Sequence, residues 1–331
     1  MLKKIGVILG GNSTEREISL KSGEAIYNSL IRNGYQVHKI DPKTDDIYQT
    51  ICNNNIELIF IALHGQGGED GTIQGMLEIM GIPYTGSGVL ASALTMNKIY
   101  TQSILRDNNI LVPEFITLRE RDYNEGNIEQ ITMEISDKIG FPVLVKAPSQ
   151  GSTLGIYFIN KEDISYEEQL IEAFKEAFKL ENHLLIEKMI TPSDEITIGL
   201  LGNDTVFPLP TLEITTVTGY YDYTSKYTKG LCEHIIPARI DSKLRNKAKE
   251  IAVDSYKILN CKGFARADFM VKGEDIYLID INTIPGFTEM SLLPDAAKAI
   301  GIDFDQLTEY IVDMAQGVEF PFAKYQDQII E

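Results

Sequence analysis

No apolar run in this sequence is long enough to cross a bilayer, so a helical membrane anchor is not expected. Basic residues are in deficit: 30 Lys and Arg stand against 48 Asp and Glu, a formal net charge of -18. A surface of that sign repels phosphate backbones and anionic lipids, so neither nucleic acid nor a membrane is an expected partner. A small phosphorylated ligand is not excluded, because a local basic pocket overrides the net charge. Cysteine is sparse as well. Cys52, Cys232 and Cys261 are an odd, scattered set without metal-ligand spacing. That pattern fits free thiols in a reducing compartment and points to the cytoplasm. Internal repeats, low-complexity tracts and a proline-rich linker are all missing. So are the Gly-x-x-x-x-Gly-Lys-Ser/Thr phosphate loop and the Gly-x-Gly-x-x-Gly dinucleotide fingerprint.

What is present is a globular chain. Its 331 residues suggest two or three domains, and 44% hydrophobic content supplies a core. The apolar run at 5–9 stops at Gly10-Gly11 with charges following, so it reads as a first buried strand rather than a secretory leader. Residues 17–32 carry apolar positions at helical spacing and end at Asn33-Gly34. Strand patterns at 35–40 and 58–63 complete a βαβ rhythm, which implies a parallel sheet with helices on its faces. In such a sheet the loops after the strands share one crevice, here Gly10-Gly11 and the glycine-dense 64–71. Asn12 and Glu15 fit a helix N-cap with a carboxylate three residues on, so local sequence favours a capping role for Glu15. Further on, strands are expected at 112–118, 142–146, 156–159, 183–189 and 195–201. Helices are expected at 97–108, 163–180 and 242–259.

The sharpest chemical signal is a hairpin. Strand-like stretches at 264–271 and 276–281 flank Lys272-Gly273-Glu274-Asp275. A turn centred on Glu274 would set Asp268 opposite Asp280, with Arg266 and Asn282 on the same faces. Opposed carboxylates repel, so removing one should stabilise the bare fold, and a hard cation between them would remove the cost. An Asp/Asp/Asn oxygen set suits magnesium rather than zinc. The alternative is a solvated polar strand face. The loop at 149–155 is rich in glycine and hydroxyls that let backbone N–H groups approach phosphate, with Lys146 just upstream as a point charge. It also reads as an ordinary hairpin turn. Glu187-Lys188 is either a surface ion pair on an edge strand or part of a nucleotide hinge. The polar, tyrosine-rich stretch at 221–227 is either a lid or a surface loop.

The order of these pieces resembles the D-alanine–D-alanine ligases of the ATP-grasp superfamily, over nearly the whole chain. The motifs that carry the resemblance are Gly10-Gly11 with Glu15-Arg16-Glu17, His64-Gly65 with Gly68-Glu69-Asp70-Gly71, Tyr221-Asp222-Tyr223 with Lys226-Tyr227, and Asn282-Thr283-x-Pro285-Gly286 with Ser291-Leu292. The resemblance implies an α/β chain: an N-terminal Rossmann-like parallel-sheet domain at 1–96 and ATP-grasp subdomains at 97–186 and 187–331. It implies a carboxylate–amine ligase that phosphorylates one D-alanine with ATP and lets a second attack the acyl phosphate. Glu15, Ser152 and Tyr227 would form a hydrogen-bonded link across the domains, with Glu15 on the first ammonium and His64 near that substrate. Arg266 and the Gly286 backbone would stabilise the tetrahedral intermediate. Ser291 and Leu292 would bind the second carboxylate. Lys98, Lys146 and Lys226 would contact ATP phosphates, while Glu187, Lys188, Ile190, Glu195 and Met270 would line the adenosine site. Asp268, Asp280 and Asn282 would hold two magnesium ions, with manganese an alternative. A homodimer is implied too.

The family usually has Glu where Asp280 stands, Glu-Gly-Ser where this chain has Gln150-Gly151-Ser152, and Lys-Pro where it has Lys146-Ala147-Pro148. Tyr227 favours an amine over a hydroxy-acid nucleophile. The alternatives are a ligase with D-serine or D-lactate as second substrate, and a non-catalytic nucleotide-binding protein of the same fold.

Overall fold

The computed structural model describes residues 3–151, 155–216 and 232–325. The chain opens with β1 (Lys4–Ile8), α1 (Arg16–Arg32), β2 (Gln36–Ile40), α2 (Ile47–Asn54), β3 (Leu58–Ile61) and α3 (Thr72–Met80). The three strands pair in parallel in the order β2-β1-β3. All four residues of β3 are buried, the signature of a strand covered on both faces. The loops after β1 and β3 lie side by side, and Ser13 Oγ donates to His64 O at 2.7 Å. One local expectation fails here. Helix α1 begins at Arg16 with Glu15 itself at the N-cap, and its side chain makes no capping hydrogen bond. Asn12 therefore caps nothing, and the Glu15 carboxylate is turned elsewhere.

Two helices, α4 (Val89–Met96) and α5 (Lys98–Asp107), lead into β4 (Phe115–Arg119), α6 (Ile128–Lys138), β5 (Val143–Lys146), β6 (Ile156–Ile159), α7 (Tyr166–Phe178) and β7 (His183–Lys188). Strand β4 starts later than the apolar pattern at 112–118 suggests, because Pro113 has no N–H to give a ladder. These strands form an antiparallel sheet in the order β4-β7-β5-β6. The rest of the described residues form β8 (Asp194–Gly202), β9 (Phe207–Pro208), β10 (Leu212–Thr216), β11 (Cys232–Ile235), α8 (Ser242–Ile258), β12 (Gly263–Lys272) and β13 (Asp275–Asn282). They end in α9 (Leu292–Lys298), α10 (Phe304–Ala315) and α11 (Phe322–Tyr325). Their strands run β11-β10-β8-β12-β13, with β9 on β8.

The cores join elements that are remote in sequence. The four-stranded sheet has a core of its own, from Ile128 through Phe174 to Ile186. The parallel sheet instead shares one core with the C-terminal part: Ile5, Val7 and Phe60 pack with Phe264, Phe287, Leu293 and Ile311. The rings of Phe60, Phe264 and Phe287 form a triangle with centroid separations of 6.5, 6.0 and 6.0 Å. Strand β7 runs through 186/187, and Ala91, Leu105 and Val112, on both sides of 96/97, lie in the core beneath the six-stranded sheet.

Candidate active site

The β12–β13 hairpin pairs Lys272 with Asp275 across the turn, a register that alone would set Asp268 opposite Ile279; a shift further along sets Asp268 opposite Asp280 and Arg266 opposite Asn282. The ladder shifts by one residue between Asp268 and Phe269, a bulge beside the acidic pair. Neither carboxylate stands against the other alone. Arg266 donates to both Asp268 oxygens, Nε at 2.8 Å and Nη2 at 2.7 Å. Thr197 Oγ1 and Asn282 Nδ2 add bonds to Asp268 at 2.6 and 3.0 Å. Lys98 Nζ lies 3.0 Å from Asp280. The repulsion expected from the opposed pair is thus offset by two cations, and removing Asp268 would strip a network rather than relieve strain. Burial acts to lower the pKa of Lys98, but the charge and hydrogen bond of Asp280 outweigh it and raise it.

This hairpin forms one wall of a cavity of about 280 Å³ between the two antiparallel sheets. Arg266, Asp268, Met270, Asp280 and Asn282 line it from the hairpin, Lys146 from β5, and Glu187 and Lys188 from β7. Ile190 and Glu195 close it at the crossing between the sheets, and Lys98 enters from the start of α5. Lys146 and Glu187 are both buried and pair at 2.5 Å, with Gln102 Nε2 on the second Glu187 oxygen. Strand β7 lies inside its sheet, so Glu187-Lys188 is not a surface pair on an edge. Glu187 answers Lys146, while Lys188 Nζ donates to Phe141 O at 2.8 Å, with burial lowering its pKa. A cavity with lysines set against carboxylates, and with Met and Ile on its walls, suits a flat base carrying a phosphate tail.

The oxygen donors of Asp268, Asp280 and Asn282 open onto this cavity. Among the described residues no cluster of three His, Cys, Asp or Glu is found. Two carboxylates and an amide are too few for a closed protein cage. They fit magnesium, which keeps waters and takes its remaining ligands from substrate phosphates.

The Glu15 carboxylate explains two glycines remote from it in sequence. A Cβ on Gly65 would stand 2.7 Å from Glu15 Oε2, and one on Gly151 only 2.5 Å from it. Glu15 therefore bridges the loop after β3 and the β5–β6 loop, of which Gly151 lines the cavity. The loop that carries Glu15 is latched by Asp41, which accepts from Gly11 N at 3.0 Å and from Arg16 Nη2 at 2.6 Å. The Arg16 hydrogen bond, joined by backbone donors, holds the Asp41 carboxyl down at about 2.

His64 is buried, 4% exposed, with Nε2 3.0 Å from Ser22 Oγ and Nδ1 3.0 Å from Ile284 O. Its neighbour Glu69 also lines the cavity, and burial pushes the Glu69 carboxyl up. Gly286 lies beside Ser291, whose Oγ would be 3.6 Å from a Cβ there. Ser291 is the N-cap of α9, and its Oγ accepts from Thr288 N at 2.9 Å. The Leu292 side chain is buried with Leu212 and Ile214, so only its backbone N–H is left to meet a ligand. Ser152, Lys226 and Tyr227, together with the tyrosine-rich 221–227 stretch, lie outside the described residues.

Sequence reasoning missed several residues that build this site. Ser149 is held from two sides: Glu181 accepts from its N at 2.7 Å, and Asn97 Nδ2 donates to its Oγ at 2.9 Å. Burial raises the Glu181 pKa. Asn97 also caps α5, accepting from Ile99 N at 3.1 Å, so one side chain couples the helix bearing Lys98 to the β5–β6 loop. Gln102 left a readable trace, since it repeats four residues after Lys98 on the same helical face. Glu181 left none.

Two family profiles match the chain: "D-ala D-ala ligase N-terminus" over residues 42–87 and "D-ala D-ala ligase C-terminus" over residues 104–313. A D-alanine–D-alanine ligase of Carboxydothermus hydrogenoformans is 48% identical over 312 residues, 93% of this chain and 97% of that protein. Among solved structures, the Bacillus anthracis D-alanine–D-alanine ligase complexed with ATP superposes with a TM-score of 0.78 at 30% identity, covering 95% of this chain and 98% of that one. The VanG D-Ala:D-Ser ligase of Enterococcus faecalis gives 0.78 at 31% identity, covering 95% and 100%. The two facing antiparallel sheets are therefore an ATP-grasp fold behind an N-terminal α/β unit. With the C-terminal profile covering more than half of its residues and a relative 48% identical over 93% of its length, the chain belongs to the D-alanine–D-alanine ligase family.

Proposed function

We propose that this protein joins two D-alanines into D-alanyl-D-alanine at the expense of ATP, for peptidoglycan precursor synthesis. The carboxylate of the first D-alanine takes the γ-phosphoryl group. The amine of the second attacks the acyl phosphate, and ADP and phosphate leave. The observation that carries this reading is the Glu15 carboxylate wedged against Gly65 and Gly151, beside a cavity that holds Lys98, Lys146 and Arg266. An acid placed there meets an ammonium just where phosphate-binding cations meet a carboxylate.

In this reading Glu15 holds the first substrate's ammonium and links to Ser152 and Tyr227. His64 backs the same subsite. Lys98 and Lys146, with Lys226, neutralise the phosphates as point charges. Glu187, Lys188 and Ile190 border the adenine with Met270 on its face, and Glu195 takes the ribose. Arg266 and the Gly286 N–H face the oxyanion that forms when the amine attacks, where a single donor is worth about 100-fold or more in rate. Ser291 and the Leu292 N–H receive the second carboxylate. Asp268, Asp280 and Asn282 would hold two magnesium ions, or manganese, which supply charge neutralisation at the transferring phosphoryl group. The working units are 1–96, 97–186 and 187–331, in a cytoplasmic homodimer.

A second reading keeps the chemistry and changes the acceptor. The D-Ala:D-Ser ligase is as similar in structure as the D-alanine–D-alanine ligase complexed with ATP, which leaves D-serine as an alternative second substrate. One assay separates these: ADP release with D-alanine, L-alanine, D-alanine plus D-serine or D-alanine plus D-lactate, with products weighed by mass spectrometry. D-alanine-dependent release with a D-alanyl-D-alanine product is expected. ATP binding without release under any condition would overturn the ligase reading in favour of a nucleotide-binding protein.

A further inference from the structure

The buried face of α1 carries hydroxyls where a core helix would carry aliphatic groups. Ser19 and Ser22 are both wholly buried and follow Glu15 at helical spacing. Buried hydroxyls are kept when they are bonded, so the partners tell what each is for. Ser19 works within the N-terminal unit: it accepts from Gly10 N at 2.8 Å and donates to Ala62 O at 2.7 Å. Ser22 reaches out of it. Its oxygen accepts from Phe287 N at 3.2 Å and lies 3.0 Å from His64 Nε2.

The proton positions follow from the partners. His64 Nδ1 faces two acceptors, Ile284 O at 3.0 Å and Glu69 Oε1 at 3.3 Å, so Nδ1 carries the ring proton. In the neutral ring Nε2 is then the acceptor, so the Ser22 proton points at it while the Ser22 oxygen receives Phe287 N–H. The assignment rests on the network as a whole. The result is a closed relay: Phe287 N–H to Ser22, Ser22 O–H to His64, His64 N–H to Ile284 O. Its two ends grip a turn at residues 284 and 287, and Gly286 sits between the grips.

We propose that Ser22 is a positioning residue for the ligation: by holding Phe287 N directly and Ile284 O through His64, it fixes the peptide planes around Gly286 and so the aim of the Gly286 N–H. This rests on the ligase reading, in which that N–H faces the tetrahedral intermediate. Ser22 touches no substrate; its effect passes through the turn it grips and through His64. A mis-aimed donor weakens the transition state and leaves nucleotide binding alone, because Ser22 is not among the residues lining the cavity.

The test compares Ser22→Ala with Ser29→Ala, an equally buried serine two turns further along α1. Ser22→Ala is expected to lower kcat on the order of 10- to 100-fold with KM for ATP within about twofold of wild type. Ser29→Ala is expected to keep wild-type kcat. In nuclear magnetic resonance spectra of the full chain, Ser22→Ala should shift the Gly286 and Phe287 amides and the His64 Nε2 signal. A Ser22→Ala kcat near wild type, or an equal fall in Ser29→Ala, overturns the proposal. Should the wild-type protein release no ADP with D-alanine, the ligase reading fails by itself. The relay is then judged on the resonances, and unmoved Gly286 and Phe287 amides overturn it.

Discussion

At the scale of single residues, the site is a set of charges already matched. Asp268 shows this best, held by Arg266, Thr197 and Asn282 at once. Asp268→Asn is expected to abolish measurable turnover. It is also expected to lower the melting temperature, since a half-buried guanidinium loses its carboxylate at a cost of about 1–3 kcal/mol. Turnover assays and calorimetry check both; normal activity would sink the metal assignment. The Asp41 latch adds a pH dependence. Its pKa lies at about 2 in the folded chain against an ordinary 3.8, so its stabilisation is present above the higher value and is lost as pH falls through the lower. Asp41→Asn should therefore be less stable than wild type at neutral pH in urea unfolding, with the gap closing as the acid range is entered. The hairpin was legible in the sequence, although its turn centres between Gly273 and Glu274 rather than on Glu274, and only the bulge beside Asp268 brings Asp280 opposite it. The Glu15 environment was not: its neighbours Gly65 and Gly151 are distant in sequence, and local pattern reads a carboxylate there as a cap.

At the scale of elements, close approach governs what α1 can carry. A Cβ on Gly23 would lie 2.4 Å from the Leu9 Cβ, so α1 meets the end of the first strand through that glycine. Gly23→Ala raises helix propensity by about 1 kcal/mol, but overpacking costs about 1–3 kcal/mol. The Leu9 Cβ is fixed to the backbone and yields less readily than a side-chain tip, so net destabilisation is expected in a denaturant titration. Strands and helices were largely readable from apolar periodicity. Failures came where chemistry interrupts it. Pro113 delayed β4, and the apolar pattern of α1 gave no reason to assign its serines, which only their distant partners explain.

At the scale of the whole molecule, the four-stranded sheet has its own core and meets the rest across the cavity. ATP bound there, as proposed, would touch both walls. Hydrogen exchange of β5 and β6 amides should therefore slow on addition of ATP and magnesium, while the parallel sheet should change little. Equal slowing everywhere would count against binding between the sheets. The parallel pairing of the first strands was legible from the βαβ rhythm. The cores were not, because nothing in a sequence says which faces of remote elements meet.

The triangle of Phe60, Phe264 and Phe287 fixes what can be exchanged between relatives. A chimera that takes residues 114–188 from another ligase inherits an intact core and must match only the rim of the cavity. A chimera that takes residues 1–96 inherits one ring of three and leaves the other two facing a foreign surface. The half of the protein that carries Glu15 and the half that holds the acidic hairpin are therefore bound to vary together, as two sides of a single interior.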